Sequence, residues 1–160
     1  MSSTIGLNYP VLAPLLRRTA VTGSFAVPFA AYFSFLSLRV VRNRLDDEHY
    51  IGDNSSKTPG HDSQKSNKLY VSSRAHANFA ENVPLAFALA AVAELNGGNR
   101  KILTGAMATL FTLRVLHSEL GIMKPEGMGR GRPIGYFGTI GTMLGLAGYA
   151  AFLVKDYWGF

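Results

Sequence analysis

Eight polar residues in this chain have types and spacings that can do chemistry, although each lies in or beside an apolar run. In the stretch RAHANFAENVPL, Arg74, Asn78 and Glu81 are spaced 4 and 3 and so share one helix face. Arg114 and His117 stand one turn apart in LRVLHSELGI, Arg39 and Arg42 one turn apart in LRVVRNR, and Arg132 opens the last apolar run. A charge at the centre of a bilayer costs ~2.5–3.5 kcal/mol. Near a helix end the cost falls, because long side chains reach the interface. If Arg39, Arg74, Asn78, Glu81, Arg114, His117 and Arg132 converge at one depth, their guanidinium groups, amide and carboxylate suit an anionic, zwitterionic ligand. The same groups could instead form a structural ion-pair network, since buried polar groups pair. In that reading Arg114 neutralises Glu81 or Glu119 across the bundle.

Other chemistries are excluded or unsupported. The chain has no cysteine, so disulfides, thiolate metal sites and a cysteine nucleophile are ruled out, and any thiol chemistry must use the thiol of a substrate. His49 and His61 lack metal-ligand spacing, and no metal is expected. His76 lies off the Arg74–Asn78–Glu81 face and is expected to pack between helices. There is no phosphate-binding glycine loop and no nucleophile–His–acid pattern.

These residues must be positioned by an all-α membrane fold. Of the 160 residues 48% are hydrophobic and only 16% charged, and long stretches carry no charge at all. The net charge of +6 fits an anionic membrane surface better than nucleic acid, because Lys and Arg flank the apolar runs. Four runs are long enough to cross a bilayer at ~20 residues each: 19–41, 69–95, 102–120 and 134–154. Pro28 lies inside the first, which reads as a retained span flanked by Arg17 and Arg18 rather than a cleaved signal. Residues 43–68 read as a polar loop, 96–99 (NGGN) as a turn, and 121–133 as a short loop. Short connections predict antiparallel neighbours. The segments after the first and third runs hold nine Lys and Arg residues, six within 42–74 and three within 124–132. The other side holds five, Arg17, Arg18, Arg100, Lys101 and Lys155, so the first group is placed in the cytoplasm. Gly138, Gly141, Gly145 and Gly148 form one stripe, which predicts a close helix–helix seam.

The motif RAHANFAENVPL resembles the signature at the start of the second helix in the MAPEG family, the membrane-associated proteins in eicosanoid and glutathione metabolism. LRVVRNR with IGD downstream, LRVLHSELGI and GRGRPIGY extend the resemblance over roughly residues 20–155, nearest to the family's microbial branch. It implies that residues 1–160 form a single four-transmembrane-helix bundle assembling as a homotrimer, with glutathione bound between subunits near the cytoplasmic side. Carried over by position, it assigns glutathione contacts to Arg39, Arg74, Asn78, Glu81, His117 and Tyr136, and catalytic roles to Arg114 and Arg132. The function implied is a glutathione transferase or peroxidase acting on lipophilic electrophiles. A nearby guanidinium would hold as thiolate a thiol whose free pKa is ~8.5. The partners implied are membrane lipids and a lipophilic small molecule. The location implied is the endoplasmic reticulum or another endomembrane in a eukaryote, and the inner membrane in a bacterium. This chain departs from the family in two places. Gly121 stands where several glutathione-using members carry tyrosine, and Pro133 where the prostaglandin E synthases carry serine. The alternative function is a non-catalytic lipid-binding scaffold or accessory subunit.

Overall fold

The structure is a computed structural model and describes residues 20–47, 63–124 and 129–159. Among the described residues there are four α-helices: α1 (Ala20–Asp47), α2 (Ser63–Leu95), α3 (Arg100–His117) and α4 (Gly131–Leu153). A π-helical turn, Ser118–Ile122, follows α3, and a short 3-10 turn, Lys155–Trp158, follows α4. The basic pair Arg17 and Arg18, the loop histidines His49 and His61, and the middle of the expected loop, 48–62, lie outside the described residues.

Helices α1 and α4 are apolar enough over 18-residue windows to cross a membrane. Their outward faces carry large apolar side chains, Val27 and Leu38 on α1 and Phe137 and Leu144 on α4, each about two-thirds exposed or more. Such surfaces are stable against lipid and not against water. Helices α2 and α3 each bury a stripe. On α2 these are Ala75, Phe79, Ala86, Ala90 and Ala93, and on α3 Leu103, Met107, Leu110, Arg114 and His117. Four phenylalanines tie three helices together: Phe29 of α1 meets Phe79 and Phe87 of α2 and Phe111 of α3, with ring centroids 4.9–6.0 Å apart.

Two helix boundaries differ from the sequence reading. α1 runs on to Asp47 and α2 begins at Ser63, so both ends of the expected 43–68 loop are helical. Hydropathy marks where a helix leaves lipid, whereas its backbone hydrogen bonds continue into water. Asn43 Nδ2 donates to Ser72 Oγ (2.6 Å) and fastens the extension of α1 to α2. The NGGN turn forms as expected. Gly97 takes φ +85°, Gly97 N–H bonds to the Glu94 carbonyl and Gly98 N–H to the Ala93 carbonyl, closing α2 as a Schellman motif. Asn99 then caps α3 by accepting from Lys101 N–H (2.9 Å).

The short turn does not make α2 and α3 close neighbours. α3 packs chiefly on α4, and α2 on α1 and α4. The reason is the distribution of glycine. A Cβ at Gly121, Gly131 or Gly135 would stand 2.4–2.7 Å from the backbone or side chains of the facing segment, so α4 lies almost in contact with the end of α3. The seam therefore runs through Gly121, Gly131, Gly135 and Gly138. Gly141, Gly145 and Gly148, expected to extend it, face open space.

At the far end of the bundle, Glu94 is 5% exposed and caps α1. Its carboxylate accepts from Val21 N–H (2.7 Å), Thr22 N–H (2.9 Å) and Thr22 Oγ1–H (2.6 Å). Those amides would otherwise be orphaned, and a negative charge there suits the helix dipole.

Candidate functional site

The C-terminal half of α1, the N-terminal half of α2, the end of α3 and the start of α4 meet at one end of the bundle. At its centre is Arg114, 1% exposed. Its Nη1 donates to Asn78 Oδ1 (2.9 Å) and, less closely, to the Asn78 carbonyl (3.4 Å), while Nη2 reaches the Gly135 carbonyl (3.4 Å). Its Nε finds no partner among the described residues. Among the described residues no carboxylate bonds to it, so the expected pairing with Glu81 or Glu119 is absent; its partners there are neutral acceptors. A buried guanidinium held by dipoles alone keeps a positive field around it.

One turn later, His117 is 3% exposed, and its Nδ1–H donates to the Arg132 carbonyl (2.9 Å). This bond fixes the imidazole and anchors the entry into α4. The missing side chain at Gly121 belongs to the same junction. A Cβ there would sit 2.7 Å from Arg132 N, so the backbone carrying Arg132 occupies the space where a larger residue would stand.

The remaining sequence-assigned residues divide into two groups. Arg74 and Glu81 are exposed on α2, flanking the half-buried Asn78, and Arg132 and Tyr136 are exposed on the first turns of α4. None of these four is enclosed within the subunit. Arg39, by contrast, is engaged. Its Nη1 donates to Glu119 Oε2 (3.2 Å), its Nη2 to Glu119 Oε1, and its guanidinium lies 4.5 Å from the Phe35 ring centroid. The Tyr32 hydroxyl donates to the same Oε1 (2.8 Å). Arg42, one turn on, points away and faces Asp46 at 3.9 Å. His76 packs against Phe33 with ring centroids 4.7 Å apart.

Tyr32 was not singled out in the sequence, because a lone tyrosine in an apolar run gives no periodic signal. Glu119 was considered only as a partner of Arg114. The π-turn explains the difference: Met123 N–H bonds to the Ser118 carbonyl (2.9 Å), adding a residue to the turn and turning Glu119 toward α1. Beside this cluster, between α1 and α2, lies an apolar groove of about 330 Å³ lined by Phe29, Phe33, Phe79, Val83, Pro84 and Phe87 among others.

Neither the curated proteins nor the solved structures give a match to this chain. A family model does, over residues 22–152, which takes in all four helices of the cluster and most of the chain: it belongs to the MAPEG family, membrane proteins of glutathione and eicosanoid metabolism.

Proposed function

We propose that the chain is a glutathione-dependent transferase or peroxidase for lipophilic electrophiles, spanning the membrane four times and working as a homotrimer. The observation that carries this reading is the buried Arg114, whose partners among the described residues are all neutral. A guanidinium without a counter-carboxylate in a low-dielectric site favours an anion nearby, and a thiolate is such an anion. Because Arg114 is enclosed, it acts through its field and by holding Asn78. The exposed Arg132 is the group able to meet a sulfur directly.

The residues fit glutathione by charge. Exposed Arg74 suits a carboxylate, exposed Glu81 an ammonium, and half-buried Arg39 a second carboxylate. Tyr136, on the same surface as Arg132, can close over the bound tripeptide. Glutathione supplies the thiol that the cysteine-free chain lacks. The chain's part is to orient the tripeptide, hold its sulfur deprotonated beside Arg132, and offer apolar surface to the electrophile. The groove beside Phe33 and Phe79 is within the usual range for small-molecule sites, ~300–1,000 Å³.

The groove also supports a second reading, a non-catalytic lipid-binding scaffold in which Arg39 and Asn78 serve structure through the bonds they already make. One measurement separates the two. Purified protein is titrated with glutathione while thiolate absorbance and conjugation of a generic electrophile are followed. The enzyme reading expects bound thiolate and conjugate. Lipid retained through purification, with neither thiolate nor conjugate formed, would establish the scaffold instead.

A further inference from the structure

Arg39 is assigned above to a carboxylate of the ligand, yet in the subunit it already holds one. Glu119 engages it through both carboxylate oxygens, the bidentate geometry that a bound carboxylate would adopt. We infer that Glu119 is an internal stand-in for the ligand carboxylate, so that binding is an exchange on Arg39 and the site favours ligands with an anionic group able to displace Glu119. This inference rests on the glutathione reading and deepens it.

Three features make the pair an exchangeable one rather than a fixed clip. First, it lies at the edge of the cluster: the Arg39 side chain is 16% exposed and that of Glu119 35%, so solvent and ligand reach both. Second, Arg39 has a partner that does not depend on Glu119. The Phe35 ring under the guanidinium, 4.5 Å away, keeps it in place while its anion changes. Third, the Tyr32 hydroxyl donates to Glu119 Oε1 (2.8 Å) while the pair is formed, and it remains to hold Glu119 once Arg39 is lost. The π-turn that carries Glu119 is itself a local departure from helical geometry, and such bulges often mark functional positions. A neutral lipophile has no group to exchange and gains nothing from Arg39. A carboxylate-bearing ligand does, but against competition, since its intrinsic affinity is multiplied by the fraction of Arg39 that is free of Glu119.

Two variants of the full-length protein test this, and the exchange gives them opposite signs. Glutathione is titrated into purified protein by calorimetry, with glutathione diethyl ester, whose carboxylates are capped, as the comparison ligand. Glu119→Gln keeps the shape but removes the competing charge, and glutathione binding is expected to tighten about fivefold or more with the diester unchanged. Tyr32→Phe removes the partner of displaced Glu119, and glutathione binding is expected to weaken, again with the diester unchanged. A folded Glu119→Gln protein with unaltered or weaker glutathione affinity overturns the inference while leaving the glutathione reading intact. If Glu119→Gln does not fold, Tyr32→Phe decides: equal changes for glutathione and the diester mean a merely structural role and overturn the inference. Absence of glutathione binding in the wild type removes both this inference and the reading beneath it.

Discussion

At the scale of single residues, the cluster inverts the usual expectation for a buried arginine. Arg114 pairs with an amide rather than a carboxylate, so its two partners are unequal. Removing Asn78 leaves a buried charge with only two long carbonyl contacts, whereas removing Arg114 leaves a neutral acceptor short of a donor. Asn78→Ala is therefore expected to cost roughly 3–5 kcal/mol and Arg114→Leu only roughly 1–3 kcal/mol. Thermal unfolding in detergent measures both, and equal losses would mean that Arg114 carries no uncompensated charge. With Arg114→Leu folded, bound glutathione should lose thiolate absorbance as its pKa returns toward ~8.5; unchanged absorbance would remove Arg114 from the activating role. The spacing of Arg114 and His117, and of Arg74, Asn78 and Glu81, was legible because 3.6-residue periodicity fixes shared faces. The partners of Arg39 were not, because the π-turn breaks that periodicity immediately before Glu119. Glu94, which caps α1 from another helix, gave no signal either, since a cap formed across 73 residues has no local pattern.

At the scale of elements, four helices could be read from the sequence, but their ends and neighbours could not. Hydropathy stopped α1 at Val41, yet the helix continues six residues into polar sequence, with Arg42 and Asp46 one turn apart and Asn43 tied to Ser72. The glycines were recognised as packing residues, but of the expected stripe only Gly138 touches α3. In the sequence all seven glycines of 129–148 look alike; only the helix rotation tells which touch α3. This distinction can be tested. Gly135→Ala places a methyl against His117 Cβ (2.4 Å) and the Leu113 carbonyl (2.6 Å), and is expected to destabilise by about 1–3 kcal/mol. Gly141→Ala meets nothing within 4 Å and should be neutral or stabilising by up to ~1 kcal/mol, because alanine is the better helix former. Unfolding curves for the two variants that moved together would contradict the seam described here.

At the scale of the whole molecule, the unexplained surface is as informative as the core. α1 and α4 have broad apolar faces, and the far half of α4 adds the open glycines Gly141, Gly145 and Gly148. If all four helices span the membrane, as proposed, Lys68 and Lys101 stand on opposite sides of it, at the start of α2 and of α3. Because the chain has no cysteine, Lys68→Cys and Lys101→Cys provide single labelling sites, and an impermeant thiol reagent on sealed vesicles is expected to reach only one of them. Labelling of both from the same side would remove a span. The proposed homotrimer makes a sharper demand on the glycines. In lipid, helices associate where small residues let their backbones approach, since apolar burial alone gives little. The open stripe makes no contact within the subunit, so a trimer that uses it should come apart without the subunit unfolding. Gly145→Leu is the variant of choice, with Gly135→Leu, inside the α3–α4 seam, as its counterpart. Light scattering corrected for detergent should find the wild type trimeric and Gly145→Leu monomeric but still helical, while Gly135→Leu loses helical content altogether. A Gly145→Leu protein that stays trimeric moves the interface to another face of the bundle. A monomeric wild type ends the trimer, and with it any site shared between subunits, leaving Arg74, Glu81 and Arg132 to bind glutathione from the surface of one chain.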